Sequence, residues 1–302
     1  MSTLLAFPSR LRREVVPQRP LALMTTMRIG GAAEFYVEAR SLRDVADAVI
    51  GCRAARLPLH VLGGGSNLLI DDAGVPGLVL NLKLMKSVKP FGSKVIVGAG
   101  ASLANFVATC ARAGIAGPEG LAGIPGSVGG ALAMNAGGRF AEIGEFVDRV
   151  LWLSPEGTIR YLYREEIQFS YRHSSLRKGV VLEAIFEGKP GKTAELLARM
   201  QGIMKQKLAN QPYTAFSAGC AFTNPPGQSA GRLIDLAGCK GLSVGDAQVS
   251  TQHANFIINR GQATCSEVLD LMRLVQKRVN DLHGVQLIPE VKAWPQPMEL
   301  AA

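Results

Sequence analysis

Residues His60–Ile70 read HVLGGGSNLLI, an apolar strand that runs directly into three glycines, a serine and an asparagine. Glycine has no Cβ, so successive backbone N–H groups of Gly63, Gly64, Gly65, Ser66 and Asn67 can converge on a phosphate, with the last two adding side-chain donors. Alone, the stretch reads equally as such a cradle or as a tight surface turn. Its flanks give it a setting. Upstream, TTMRIGGAAEFYVEA (25–39) reads as a turn leading into a strand that ends near Val37, and SLRDVADAVIGCRAARLP (41–58) as a helix. Ser41 caps that helix, Asp44 completes an S-x-x-D box, and Leu42, Val45, Ala46 and Val49 share one face.

A second unit repeats the plan. KVIVGAG (94–100) reads as a strand and SLANFVATCARAG (102–114) as a helix, with Leu103, Phe106, Val107 and Cys110 on one face and Gly114 after its end. Cys110 is most simply a core residue. A glycine-dense segment follows, GIAGPEGLAGIPGSVGGALAMNAGG (114–138), suited like the first to close backbone approach to an extended ligand. Two such segments far apart in sequence suggest one long ligand lying between two sublobes. The usual nucleotide signatures are absent: there is no G-x-x-x-x-G-K-[ST], and neither GGGSNL nor GAGASL completes G-x-G-x-x-G.

Farther on, RVLWLS and GVVLEAIFEG read as strands, a helix runs from about Thr193 to Leu208, and KPGK (189–192) marks a domain boundary. The last third alternates a short helix, AGRLIDLAG, with a strand, NFIIN, and a long helix opened by the capping box Thr264/Glu267. Val268, Leu271, Met272, Val275, Val279 and Leu282 form its buried stripe. VQLIPEV (285–291) is predicted to close the fold as a strand.

Charge and cysteine usage narrow the function. The 302 residues carry a net charge of +9, which fits either a nucleic-acid surface or pockets for phosphorylated and carboxylated small molecules. Lys and Arg are dispersed, without blocks or aromatic interleaving, so small anionic ligands are expected and nucleic acid is not. No apolar run is long enough to span a membrane. The first residues, MSTLLAFPSRLRREVVPQRP, have too short an apolar patch for a signal peptide; their arginines faintly suggest a transit peptide, and a disordered extension is the simpler reading. Five cysteines (52, 110, 220, 239, 265) form no C-x-x-C, and four histidines show no ligand spacing, so no disulfide framework and no metal are expected. The odd cysteine count fits a reducing cytoplasm. Cys239 and Cys265 read as structural.

GGGSNLL followed by GIPGSVGGALAMNAG resembles the FAD-binding half of the UDP-N-acetylenolpyruvoylglucosamine reductase family, within the vanillyl-alcohol-oxidase-like superfamily. FSYRHS (169–174), SAGCAFTNP (217–225), IPEV (288–291) and the segment between the last two agree in order, and the likeness covers about Thr25–Val291. No long insertion separates FSYRHS from SAGC, as in the family's shorter type. The resemblance implies an α+β fold: an N-terminal extension 1–24, a two-sublobe FAD-binding domain 25–190 (sublobes about 25–83 and 84–190) and an α+β substrate-binding domain 191–302. It also implies an enzyme of peptidoglycan precursor synthesis, in which NADPH reduces FAD and reduced flavin gives hydride to C3 of UDP-N-acetylglucosamine enolpyruvate, a proton then reaching C2; a monomer is expected.

Residue by residue, the resemblance implies that Arg172 holds the substrate carboxylate through two parallel N–H bonds. Glu290 would work protonated, or sharing a proton, in a desolvated pocket. Cys220 stands where the family motif has serine, and the thiol preserves a proton donor for C2, at the risk of ionising at high pH or being oxidised. From residue type alone, Arg172 reads as a surface ion pair, the usual fate of an arginine, and the alternatives are an exposed strand end for Glu290 and a packing residue for Cys220. Gly63, Gly64, Gly65, Ser66 and Asn67 are expected at the FAD pyrophosphate, and Ile124, Gly126, Ser127, Gly130 and Asn135 along the rest of the cofactor. Tyr171, Asn224, Arg232, Gln248, Ser250 and His253 are expected at the sugar nucleotide, although His253 reads equally as a satisfied core histidine. An FAD-dependent oxidase of the same superfamily would lack the SAGC…IPEV half. A non-catalytic flavin-binding homologue would have lost Arg172 and Glu290.

Overall fold

The computed structural model describes residues 6–295. A four-stranded sheet comes first, in the order Val16–Pro20, Ala32–Glu38, Val75–Asn81, Leu59–Leu62, with the first strand antiparallel and the others parallel. Helix α1 (Ser9–Arg12) precedes it, and helix α2 (Leu42–Ala55) makes the crossover. Ser41 Oγ accepts the Asp44 N–H as the sequence predicts, while the Asp44 carboxylate accepts the Arg40 N–H and pairs with Arg10. The buried face of α2 is Val45, Ala48, Val49 and Cys52; Leu42, expected there, is 39% exposed because it opens the helix beyond the sheet.

The first residues are not a disordered tail from Ala6 onward. Phe7 and Leu11 are buried in the main core, and a Cβ on Gly51 would lie 2.3 Å from the Phe7 ring. A glycine inside a helix costs about 1 kcal/mol against alanine, and here it opens the seat that Phe7 fills.

The second sheet is antiparallel: Ile159–Tyr163, Val147–Leu153, Val180–Glu187, Lys94–Gly98, Val88–Phe91. Helix α3 (Leu103–Arg112), capped by Ser102, packs on it through Leu103, Phe106, Val107 and Cys110, with the Phe106 ring 4.5 Å from that of Phe186. The short helix α4 (Val128–Ala133) is capped by Ser127 within the second glycine-rich segment. Helix α5 (Thr193–Asn210) lies on α3, and its Ile203 joins the same core.

The third sheet, Phe216–Cys220, Phe256–Asn259, Ala247–Val249, Ser243–Val244, carries helix α6 (Ala230–Leu236) and helix α7 (Cys265–His283) over a second core. The capping box at Thr264/Glu267 forms as predicted. The buried stripe ends at Val279; Leu282, in the last turn, is 61% exposed. Val285–Val291 is not a strand. Pro289 has no N–H to donate, and the segment makes only an isolated bridge to Phe222, the regular strand being Lys292–Trp294, parallel to Leu68–Ile70.

That parallel pair brings the chain's end back to the residues after the first glycine turn. Asp72 adds a second tie: its carboxylate accepts the N–H groups of Cys265 and Ser266, capping α7 from another part of the chain. A carboxylate at a helix N-terminus contributes roughly 1 kcal/mol.

Candidate active site

The two glycine-rich segments meet. A Cβ on Gly64 would fall 2.8 Å from the Gly126 Cα, one on Gly63 2.2 Å from Ser127 Oγ, and one on Gly126 2.6 Å from Ser66 Oγ. Gly65 adopts φ +62° with its missing Cβ against the Met24 carbonyl. The glycines therefore serve first to let one turn lie on the other, with Ser66 Oγ donating to the Pro125 carbonyl at 3.3 Å. Among the described residues, the backbone N–H groups of Gly63, Gly64, Gly65, Ser66 and Asn67 donate to no protein acceptor. Gly64 is exposed and the other four are buried or half-buried, so these N–H groups are available to a ligand or to water on one side of the turn.

Asn135 is held by the protein on every side-chain polar atom. It is 1% exposed, with φ +44°; its amide donates to Glu142 and to the Ser170 carbonyl, and its oxygen accepts the Gly144 N–H. It anchors the hairpin Phe169–Ser174, as does Ser174, whose hydroxyl donates to the Leu132 carbonyl at 2.7 Å. Tyr171 and Arg172 form the hairpin's turn, Arg172 in the left-handed region at φ +56°. A side chain held there costs roughly 1–2 kcal/mol, a strain that clusters at functional sites.

Arg172 Nε donates to Glu290 Oε1 at 2.5 Å, across parts of the chain far apart in sequence. Glu290 stands beside Cys220 because IPEV runs along the strand's continuation: the Glu290 N–H donates to the Ala221 carbonyl, and the Thr223 N–H to that of Ile288. Asn67 closes the ring, its amide donating to the Glu290 carbonyl at 3.2 Å. The first glycine turn, the Arg172 hairpin and the Cys220 strand thus converge.

Cys220 ends the strand Phe216–Cys220 past a bulge, where Gly219 adopts φ +79° with nothing near its missing Cβ. That glycine serves conformation alone, turning the next side chain out of the ladder. The thiol is pushed up to about 12, by burial first and then by the Glu290 carboxylate, with Arg172 and Asn255 opposing. The shift runs against ionisation at mildly alkaline pH, the liability expected of a free cysteine. Burial also raises Glu290 above the ordinary carboxylate range, against the pull of Arg172 and Lys292.

Asn255 has no sequence signal and proves central. It is 3% exposed, and its side chain bonds both the N–H and the carbonyl of Phe222, two residues past Cys220. Lys207 of α5 was likewise unread: its ammonium donates to the Ala122 carbonyl behind Ile124, and burial lowers it to about 8.

Of the expected sugar-nucleotide residues, Tyr171 and Asn224 join Arg172. The Tyr171 ring lies 5.0 Å from the Arg172 guanidinium carbon, and its hydroxyl accepts the Asn224 N–H. Arg232 is exposed on α6 and makes no ion pair among the described residues. The others are engaged within the protein. Gln248 donates to the Gly241 carbonyl, and Ser250, 2% exposed, accepts the N–H groups of Gln252 and His253. His253 Nδ1 accepts the Asn255 N–H, its half-buried ring meets Phe256 edge-on, and burial lowers its pKa below the ordinary histidine value.

Residues 33–162 match the FAD binding domain family, and residues 211–294 match the C-terminal domain of UDP-N-acetylenolpyruvoylglucosamine reductase. The fold and the site define an FAD-dependent oxidoreductase with an added substrate-binding domain. Full-length relatives specify it. The UDP-N-acetylenolpyruvoylglucosamine reductase of Moorella thermoacetica is 40% identical over 285 residues, 94% of each chain, and that of Myxococcus xanthus 41% over 285, 92% of each. The crystal structure of the Thermus caldophilus enzyme superposes with a TM-score of 0.80 at 41% identity, covering 93% of this chain and 98% of that one. The chain belongs to the UDP-N-acetylenolpyruvoylglucosamine reductase family. A glucose dehydrogenase, Phl p 4, shares the fold alone, with a TM-score of 0.51 at 14% identity.

Proposed function

We propose that Arg172, Cys220 and Glu290 carry the reduction of UDP-N-acetylglucosamine enolpyruvate to UDP-N-acetylmuramate, the family's step in peptidoglycan precursor synthesis. The observation behind this reading is their convergence beside five unpaired backbone N–H groups. Those N–H groups would hold the FAD pyrophosphate, and Ile124, Gly126, Ser127 and Gly130 would line the rest. Bound FAD, reduced by NADPH, supplies the hydride that reaches the vinyl C3.

The chain's own side chains answer the charge and the proton. Negative charge spreads from C2 into the substrate carboxylate, and the Arg172 fork, fixed by its strained turn and by Tyr171, stabilises it there. Cys220 gives its proton to C2. Its raised pKa keeps that proton on sulfur at working pH, while a carbanion is basic enough to take it. Glu290, already raised by burial, loses its compensating cation when the substrate carboxylate takes Arg172, and binds a proton. Tyr171, Asn224 and Arg232 are the side chains nearest to hand for the sugar nucleotide. The FAD-binding domain would span 25–190 and the substrate-binding domain 191–302, in a cytoplasmic monomer.

The test is anaerobic: reduction of the flavin by NADPH, addition of the enolpyruvyl sugar nucleotide, and observation of the visible flavin band. Recovery of the band with formation of UDP-N-acetylmuramate supports the reading, and a flavin that stays bleached ends it.

A further inference from the structure

The geometry points to Thr26 as a positioning residue that fixes the Cys220 strand against the cofactor-holding turn, an inference that rests on the roles proposed above. Thr26 holds both parts at once. Its backbone N–H donates to the Gly65 carbonyl at 3.1 Å, within the first glycine turn. Its hydroxyl donates to the Ser217 carbonyl at 2.6 Å, three residues before Cys220 on the same strand. Thr26 and Ser217 are 191 positions apart in the chain. No other residue described here bonds both that turn and this strand.

The surrounding loop stiffens the connection. Met27 and Ile29 are buried in the core of the third sheet, although they precede the first sheet's central strand, and the Met27 carbonyl accepts from Asn259. The Arg28 guanidinium carbon lies 4.0 Å from the centroid of the Phe216 ring, beside Ser217. Thr25 bonds within its own turn, to the Ala22 and Ile29 carbonyls, which leaves Thr26 as the residue that reaches across.

The position matters because the strand is irregular where it must be accurate. Its ladder to Phe256–Asn259 is broken between Ser217 and Cys220, so the strand before the bulge needs its own restraint against the cofactor turn, beside the one that Asn67 and Glu290 give just past the thiol. The Thr26 hydroxyl supplies that restraint at the last paired residue before the bulge. A misplacement of about 1 Å costs on the order of a hundredfold in a step that depends on orientation. The step exposed to this loss is proton delivery by Cys220; the reduction of flavin by NADPH does not use the thiol.

The experiment compares Thr26→Val, which keeps shape and backbone but removes the hydroxyl, with Thr26→Ser, which restores it. Three readouts are taken: FAD affinity, the two half-reactions by anaerobic stopped flow, and the alkylation rate of Cys220 by iodoacetamide, read by mass spectrometry. Cys220 is half-buried and the other four cysteines are buried, so the label reports this strand. The expected result for Thr26→Val is wild-type FAD affinity and reduction by NADPH, re-oxidation by the enolpyruvyl sugar nucleotide slowed roughly tenfold to a hundredfold, and severalfold faster alkylation. Thr26→Ser should match the wild type in all three. Re-oxidation and alkylation at wild-type rates in Thr26→Val overturn the inference. So does a Thr26→Val protein that fails to fold or loses both half-reactions together, because the hydroxyl is then a general structural contact. If wild-type flavin itself is not re-oxidised by the sugar nucleotide, the functional reading fails, and the alkylation comparison still decides the tie.

Discussion

Raising the pH separates a thiol held by its surroundings from an ordinary one. A free cysteine thiol ionises near 8.5, so at pH 10 only about 3% would keep the proton that C2 needs. Burial and the neighbouring Glu290 carboxylate push Cys220 up to about 12, which leaves about 99% protonated at pH 10. The difference is about thirtyfold in the population able to donate. The shift favours the neutral form, so donation should persist through mild alkali and fail only as the pH approaches 12. The assay is the flavin re-oxidation rate against pH, by pH-jump stopped flow for wild type and Cys220→Ser, with Cys220 alkylation followed in parallel to titrate the thiolate directly. A ratio of wild type to Cys220→Ser that stays flat from pH 7.5 to 10, with little alkylation below pH 10, is the expected result. A ratio that falls with a midpoint near 8.5 would refute both the desolvated setting and the reasoning from it.

Three further substitutions probe the parts separately. Gly64→Ala sets a Cβ 2.8 Å from the Gly126 Cα without entering a forbidden backbone region, so it should part the two turns and weaken FAD binding at least about tenfold, read by titrating apoprotein. Asn255→Ala strips partners from the Phe222 N–H and carbonyl and should lower stability by roughly 2–4 kcal/mol, measured by urea unfolding of the apoprotein. Glu290→Gln removes the anion that occupies Arg172 and mimics the protonated carboxyl, so it should tighten substrate binding severalfold, read by substrate titration, while leaving re-oxidation within a few-fold of wild type. Weaker binding with unchanged chemistry would show that Glu290 and the substrate do not share Arg172.

The sequence was legible where local chemistry decides structure. Ser41 and Thr264 cap their helices because a hydroxyl accepts an N–H three residues on whatever the fold, and the stripe Val268–Val279 is buried because its period matches the helix. Arg172, Cys220 and Glu290 stood in recognisable motifs, and the structure brings them together. What stayed hidden depends on distant partners. The first residues looked like a tail because Phe7 finds its seat only on another element, at Gly51. VQLIPEV has the alternation of a strand, yet Pro289 lets it make only scattered bonds to the Cys220 region. Ile159–Tyr163 is an edge strand with one buried residue, so its apolar pattern is faint. Asn255 and Thr26 bond mainly to backbone groups, which leave no mark in the sequence.

The arrangement also explains why one arginine can serve two anions. In the substrate-free chain the Arg172 fork is engaged by Glu290, and neither side chain is far from solvent, at 20% and 13% exposure. A fully buried pair would cost several kcal/mol to separate, whereas a pair at the edge of water can exchange one carboxylate for another at little net loss. Once the substrate carboxylate holds Arg172, Glu290 remains in a desolvated place without its cation, and protonation is its least costly state. In the proposed mechanism, proton uptake by Glu290 offsets the charge that the substrate carboxylate brings, before further negative charge develops at C2.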